Sequence, residues 1–367
     1  MSQGLKKNSL IIASQLKLAR EFLQYSREEV AEELEIDSKK IEDWEEGKEA
    51  PDIKNLETLA KLYGREIDYF LKETPPPPSR IEFRGKPGQN FKSLSKEAKI
   101  YLSRFDELCR TALELEKILN RKHEVKLPKF DNQDSPESVA KALRNEFRVD
   151  DNPLKLNELR ELLEAKGTRI FILPIPKDKF SGFSFWHQEY GPCILINGSE
   201  TEGRRNFTLA HELAHLLYGE GSILCYISEP STSRNRPENK ADKFAEHLLL
   251  PEAGVRKDFG ERNISKRPSE RELAKMATKW GTSIQALGYR LENLGLIEEG
   301  TTNNIKERKP FFRRSRIPKW EKQLGKQFVE MSLQAYQNGL ISTGKLAHSL
   351  GLTMRETIEQ IEKRISH

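Results

Sequence analysis

Apolar residues recur at helical spacing from early in the chain: Leu10, Ile11, Leu16, Leu18, Ala19, Phe22 and Leu23. Ser26 stands three residues before Glu29, the spacing of a capping box, and predicts a second helix over EEVAEEL. After a break at Glu35-Ile36, Asp37 or Ser38 can cap a third helix, KKIEDWEEG, which Gly47 ends. Ala50-Pro51-Asp52 opens a fourth, NLETLAKLYG, closed by another glycine, and IDYFL completes the bundle. Short helices joined by tight turns, with Ala31 and Ile36 in the turn region, predict a helix-turn-helix domain over residues 1–72.

Pro75 to Pro78 form an unbroken run that predicts a stiff polyproline II spacer of roughly 12 Å. We expect a linker at 73–84 and a helical connector at 85–134. Helical patterning returns at 92–124 and 135–166, where Ser135-Pro136-Glu137 is a start signal with proline at the first helical position. The pattern then changes to short β-rich runs, TRIFILPI (168–175), GFSFW (182–186) and CILIN (193–197). They predict a small, largely antiparallel three-stranded sheet. Four helical stretches follow, at 204–218, 238–250, 270–280 and 283–294. The expected fold is α+β: a helical bundle, a mixed domain at 135–300, and a helical module at 301–367. Within that last module, STGKLAHSLGLTMRETIEQIEKR reads as two short helices broken at Gly351, a pattern like a second helix-turn-helix.

Length and composition fit several globular domains, with 367 residues, 36% hydrophobic and 32% charged. No apolar run reaches the roughly 18 residues of a membrane span. The N-terminus lacks the pattern of a secretion signal. Three scattered cysteines, Cys109, Cys193 and Cys225, argue against a disulfide framework and for a reducing cytoplasm. Charge is uneven. Residues 1–72 hold 12 Lys/Arg against 16 Asp/Glu, a net of −4, and residues 301–367 hold 13 against 6, a net of +7. Nine Lys/Arg fall within 306–326.

The chemistry is concentrated in FTLAHELAHLLYG. His211 and His215 are four apart, so on a helix both imidazoles share one face and can reach one metal. Glu212 lies on the flank of that face, where it can act on a water beside the metal as general base. The neighbours Leu209, Ala210, Leu213, Ala214, Leu216 and Leu217 are apolar and would bury the helix. Two surface histidines on a helix is the plainer reading, and this apolar setting argues against it. A catalytic zinc needs a third protein ligand. Tyr218 and Gly221 occupy the positions where the metzincin pattern requires glycine and histidine, which excludes that class. In ENKADKFAEHLLLP, Glu238 opens the next helix, and Ala241 and Ala245 would let it approach closely. Glu238 is the expected third ligand, Asp242 the alternative, and Cys225 a softer option in a loop. His247 is expected to be an ordinary, partly exposed histidine.

These motifs resemble the ImmA/IrrE-type metallopeptidases that carry an N-terminal Xre-type helix-turn-helix. FSGFSFWHQEYGPCILINGSETEGRRNFTLAHELAHLLYG (180–219), ENKADKFAEHLLLP (238–251) and LAKMATKWGTSIQALGYRLENLGLI (273–297) carry the resemblance, which covers about 135–297, with 9–72 resembling the Xre domain. It implies zinc held by two histidines and the downstream Glu, with the motif Glu as general base. It also implies a protein substrate, a helix-turn-helix repressor cleaved under stress. One departure concerns DNA. The third helix holds Glu42, Asp43, Glu45 and Glu46 against Lys39 and Lys40, a poor match to phosphates.

Tyr226, Tyr289 and Arg290 are candidates for steadying the oxyanion, although each tyrosine is as well read as core or rim and Arg290 as a carboxylate's partner. The strands 182–186 and 193–197 could offer an edge to an extended substrate, with Phe183, Phe185 and Trp186 as core or cleft wall. A zinc endopeptidase is the first reading. A DNA-binding regulator or antitoxin-like protein, using the peptidase fold to sense or dock a partner, is the second. In a third, the acidic head docks on the basic tail or on another helix-turn-helix protein.

Overall fold

Side-chain caps foreseen in the sequence fix the N-terminal helices. Ser26 Oγ accepts the Glu29 N–H at 3.1 Å, and Glu29 accepts the Ser26 N–H at 2.6 Å. Asp37 accepts from Lys39 N at 2.7 Å, and Gly64 ends its helix in the left-handed region at φ 61°. The computed structural model describes residues 2–71, 94–175, 180–219, 223–226, 236–304 and 319–365. The proline run at 75–78 and most of the basic run 306–326 lie outside them. Two units result, one holding Met1–Thr111 and the other Ala112–Pro174 with Lys179–His367.

The first unit comprises α1 (Ser2–Phe22), α2 (Arg27–Leu34), α3 (Ser38–Glu45), α4 (Ile53–Tyr63), α5 (Ile67–Leu71) and the start of α6 (Lys96–Ile118). Leu16, Leu23, Val30, Ile41, Leu59 and Phe70 are all buried. The acidity of α3 is only partly a surface property. The Glu45 side chain is 1% exposed and accepts from Arg20 Nε at 2.6 Å, Arg20 Nη2 at 2.9 Å and Arg27 Nε at 3.0 Å. Glu42 accepts from Arg27 Nη1 at 3.2 Å. Enclosed by two guanidiniums, this carboxylate is neutralised inside the bundle, which leaves Asp43 on α3 and Glu46 just past its end as acidic groups, with Lys39 and Lys48 beside Asp43.

In the second unit α7 (Pro136–Phe147) and α8 (Leu156–Ala165) lead into β1 (Arg169–Leu173), β2 (Phe180–His187) and β3 (Gly191–Asn197). Then come α9 (Glu202–Leu217), β4 (Ile223–Tyr226), α10 (Arg236–Leu249), α11 (Glu252–Glu261), α12 (Glu270–Trp280), α13 (Ile284–Asn293) and α14 (Thr301–Asn304). The basic module contributes α15 (Trp320–Leu324), α16 (Lys326–Gln337), α17 (Thr343–Leu350) and α18 (Met354–Ile365), with Gly351 turning the chain between the last two as its spacing foretold. Among the described residues no helix is long and apolar enough to cross a membrane.

The α+β class stands, and the sheet gains a strand. Its order is β1-β3-β2-β4, with β1 parallel to β3 and the other two pairs antiparallel. Two strands expected to offer an edge, β2 and β3, are therefore interior, and β1 and β4 are the end strands. Ile170, Ile172, Ile194 and Ile196 share one core with Leu209, Leu213 and Phe244 from the helices. The side chains that alternate with them, Phe171, Phe183, Phe185 and Leu195, are buried on the other face. Phe171 meets Phe328 of α16 edge to face at 5.4 Å. Arg160 of α8 donates to the β1 carbonyl of Ile170 and to the carbonyls of Lys322 and Gln323, so one guanidinium ties the end strand to α15.

Candidate metal centre

α9 buries its polar positions along with its apolar ones. Leu209, Leu213, Leu216 and Leu217 are at most 2% exposed. Burial of each such side chain stabilises by roughly 1.5–3 kcal/mol, enough to offset the desolvation of a few paired polar groups. His211, Glu212 and His215 are 7%, 0% and 0% exposed. Thr201 caps the helix through the Arg204 N–H, and the four-residue spacing brings the two Nε2 atoms to 3.1 Å.

Glu238 stands in the first turn of α10, where the helix dipole favours a carboxylate. Ala241 and Ala245 are buried in the core that α9 and α10 share, as their size foretold. Glu238 Oε2 lies 3.5 Å from His211 Nε2, and Oε1 lies 3.9 Å from His215 Nε2. The three donor atoms fall within 4.8 Å of one another. A tetrahedral ion with bonds of roughly 2.0–2.1 Å separates its donors by about 3.3 Å, and the observed triangle brackets that value. Two imidazole nitrogens at 3.1 Å can share only one proton, so a cation between them suits the pair better. Two nitrogens and one carboxylate oxygen fit a metal ion that keeps a position open.

Asp242, the alternative ligand, takes another place. Its Oδ1 is 2.9 Å from His211 Nδ1, on the ring edge opposite the centre. That contact fixes the ring so that Nε2 faces the three-donor cluster. Burial opposes protonation of His211, but hydrogen bonds to Asp242 and Glu238 outweigh it and raise its pKa to about 10. An anionic surround of this kind suits a cation. Asp242→Asn is expected to weaken metal binding by about 10–100-fold in a chelator competition, and unchanged affinity would refute the orienting role.

Glu212, whose charge acts on His211, also reaches the sheet. Ser184 Oγ donates to its Oε2 at 2.6 Å, and both side chains are buried. Gly182 makes the approach possible, because a Cβ there would sit 2.6 Å from Glu212 Oε1 and 2.5 Å from Thr208 Cγ2. Neither Gly182 nor Ser184 was singled out from the sequence. An isolated glycine inside a strand, the mark of close backbone approach, was the available signal.

The remaining candidates lie elsewhere. Arg290 donates to the Leu250 carbonyl at 3.0 Å and to Glu246 at 3.2 Å, the carboxylate pairing foreseen as its plainer role. His247 Nδ1 is 3.4 Å from Arg290 Nη2, and burial together with that guanidinium lowers its pKa. The Tyr289 hydroxyl donates to Asn303 at 3.0 Å. Phe183 and Phe185 are core, whereas Trp186 is 40% exposed beneath Lys129 Nζ at 4.7 Å. Cys225, expected in a loop, lies on strand β4 with Tyr226, and the side chains of both fall outside the described residues.

Residues 163–292 match the peptidase family described as the IrrE N-terminal-like domain, and residues 13–74 match a helix-turn-helix domain. No curated protein matches the chain. The first match takes in His211, His215 and Glu238 and the second takes in the bundle from residue 13 of α1 through α5, so the chain has a region similar to the IrrE N-terminal-like domain behind an N-terminal region similar to a helix-turn-helix domain.

Proposed function

We propose that the chain is a regulatory zinc endopeptidase in which His211, His215 and Glu238 hold the metal and Glu212 is the general base. One observation carries this reading: two imidazole nitrogens and a carboxylate converge on one point, beside a second carboxylate held by the sheet. Zinc bound there would lower the pKa of an adjacent water and polarise a peptide carbonyl. The Glu212 carboxylate accepts the proton of the attacking water and delivers it to the leaving amine. Ser184 keeps that carboxylate in one orientation throughout. The apolar flank of α9 limits competing water.

The substrate is a protein presented in extended form along β4, the end strand next to β2, which touches the general base. A helix-turn-helix repressor in the same cytoplasm, cleaved under stress, is the substrate class that the family resemblance implies. Co-expression with such a repressor from an adjacent gene tests the reading. Cleavage at a single site is expected, lost on treatment with a chelator and restored by zinc. Cleavage that survives complete metal removal would end the proposal.

The burial of Glu45 between Arg20 and Arg27 supports a second role, DNA binding by the N-terminal domain, because it removes one negative charge from the face of α3. A gel shift at moderate salt decides it, and no retardation by the full chain leaves the peptidase alone.

A further inference from the structure

The strand that reaches Glu212 is irregular. Where β2 pairs with β4, Phe180 opposes Tyr226 and Gly182 opposes Cys225, so Ser181 is the extra residue of a β-bulge. A bulge re-aims the side chain it carries, and bulges are over-represented beside active sites. Ser181 is 3% exposed, and its Oγ donates to Glu200 Oε1 at 2.9 Å.

Glu200 stands in the turn between β3 and α9, next to the Thr201 cap. Its side chain is 8% exposed. Besides the Ser181 bond it takes a longer one from Thr208 of α9, Oγ1 to Oε2 at 3.5 Å, and Arg204 Nε lies 4.0 Å from Oε1. Burial raises the Glu200 pKa against the pull of Arg204 and the two hydroxyls. One carboxylate therefore links the bulge of β2 to the first half of α9.

That link falls where Glu212 meets the sheet. A Cβ on Gly182 would lie 2.5 Å from Thr208 Cγ2 and 2.6 Å from Glu212 Oε1, so both side chains crowd the same Cα. Ile194 and Ile196 of β3 share an apolar core with Leu209 and Leu213 of α9. At Gly182 and Ser184, β2 offers no apolar side chain of that kind. Its contacts there are polar: Ser184 to Glu212, and Ser181 through Glu200 to Thr208. The Ser184 hydrogen bond fixes Glu212 only as firmly as the strand beneath it is fixed.

We propose, building on the reading of Glu212 as general base, that Glu200 is a positioning residue. By holding the β2 bulge against α9, it sets the height at which Ser184 meets the Glu212 carboxylate.

Variants of the full chain test this. Glu200→Ala removes both links. Glu200→Gln keeps an oxygen for Ser181 and an amide from which the Thr208 hydroxyl can accept. Hydrogen exchange and crystal structures read the position without reference to cleavage. In Glu200→Ala, amides 181–184 should exchange about tenfold faster or more, and the Ser184–Glu212 contact should open beyond about 3.5 Å. On the repressor that the parent cleaves, kcat should fall by about 10–100-fold, with KM and zinc affinity within about threefold of the parent. Glu200→Gln should recover every value to within about threefold of the parent. Should Glu200→Ala not fold, Ser181→Ala removes one link and should shift exchange and kcat in the same directions.

The proposal is overturned if the alanine variant keeps the parental exchange and Ser184–Glu212 contact, or the parental kcat. It is also overturned if KM or zinc affinity changes as much as kcat, or if Glu200→Gln is as impaired as Glu200→Ala. A parent that cleaves no repressor sinks the peptidase reading instead, and the exchange and the contact then decide whether Glu200 positions Glu212.

Discussion

Glu212→Gln is expected to leave a full complement of metal on the protein and to lower peptide cleavage by about 10²–10⁴-fold. The separation follows from the geometry. The proposed metal donors, His211, His215 and Glu238, face one another across α9 and α10, while Glu212 reaches the sheet and accepts from Ser184. Glutamine keeps the size of the side chain and can still bond Ser184, so the helix should stay packed. What it cannot do is take a proton from water. Metal content by elemental analysis and single-turnover cleavage of the repressor are the two measurements. Loss of metal in the variant would place Glu212 among the ligands, and retained activity would remove it from the chemistry.

The second large effect concerns a residue with no side chain. Gly182→Ala places a methyl group 2.6 Å from Glu212 Oε1, 2.9 Å from its Cγ and 2.5 Å from Thr208 Cγ2. These atoms belong to a buried helix packed on both sides, so they can give little. Overpacking of this kind costs about 1–3 kcal/mol of stability. A base displaced by about 1 Å can lose on the order of 10²-fold in rate. We expect cleavage to fall by that order, with metal affinity within about threefold of the parent because the imidazoles face α10. Full activity in Gly182→Ala would show that the sheet does not position the base. Metal loss in parallel with activity would show that α9 moved as a body.

Much of this was legible in the residue pattern. The α9 motif could be read because His211, Glu212 and His215 interrupt an otherwise apolar helix, and such an interruption has few structural explanations. Glu238 followed from its place on a helix with small residues three and seven positions on. Asp242 was harder, because it stands one turn from Glu238 on the same helix, and only distances show that Glu238 is near both Nε2 atoms while Asp242 meets His211 Nδ1. The strand β4 escaped because four residues between a glycine-containing turn and α10 leave no room for alternation. Its absence made β2 look like an edge. The helix α11 carries Gly254 and Gly260, which weaken its periodicity, and Gly254 is needed where a Cβ would meet the Asp151 carbonyl at 2.1 Å. Charge counting is incomplete at α3 for a related reason. A sequence shows that Glu45 is acidic but not that Arg20 and Arg27 have enclosed it.

The Arg160 contacts have a consequence for anyone who trims the protein. An end strand with its backbone groups bare is a template on which another chain can grow. Here α15 and α16 lie against β1, held by the guanidinium and by the Phe171–Phe328 contact. A fragment cut to residues 163–292, the span that matches the peptidase family, would lose that cover along with Arg160 itself. It would keep His211, His215 and Glu238 yet present a raw β margin to its neighbours, and self-association would then mask whatever activity the fragment has. The basic tail, whatever else it binds, doubles as the selvedge of the sheet.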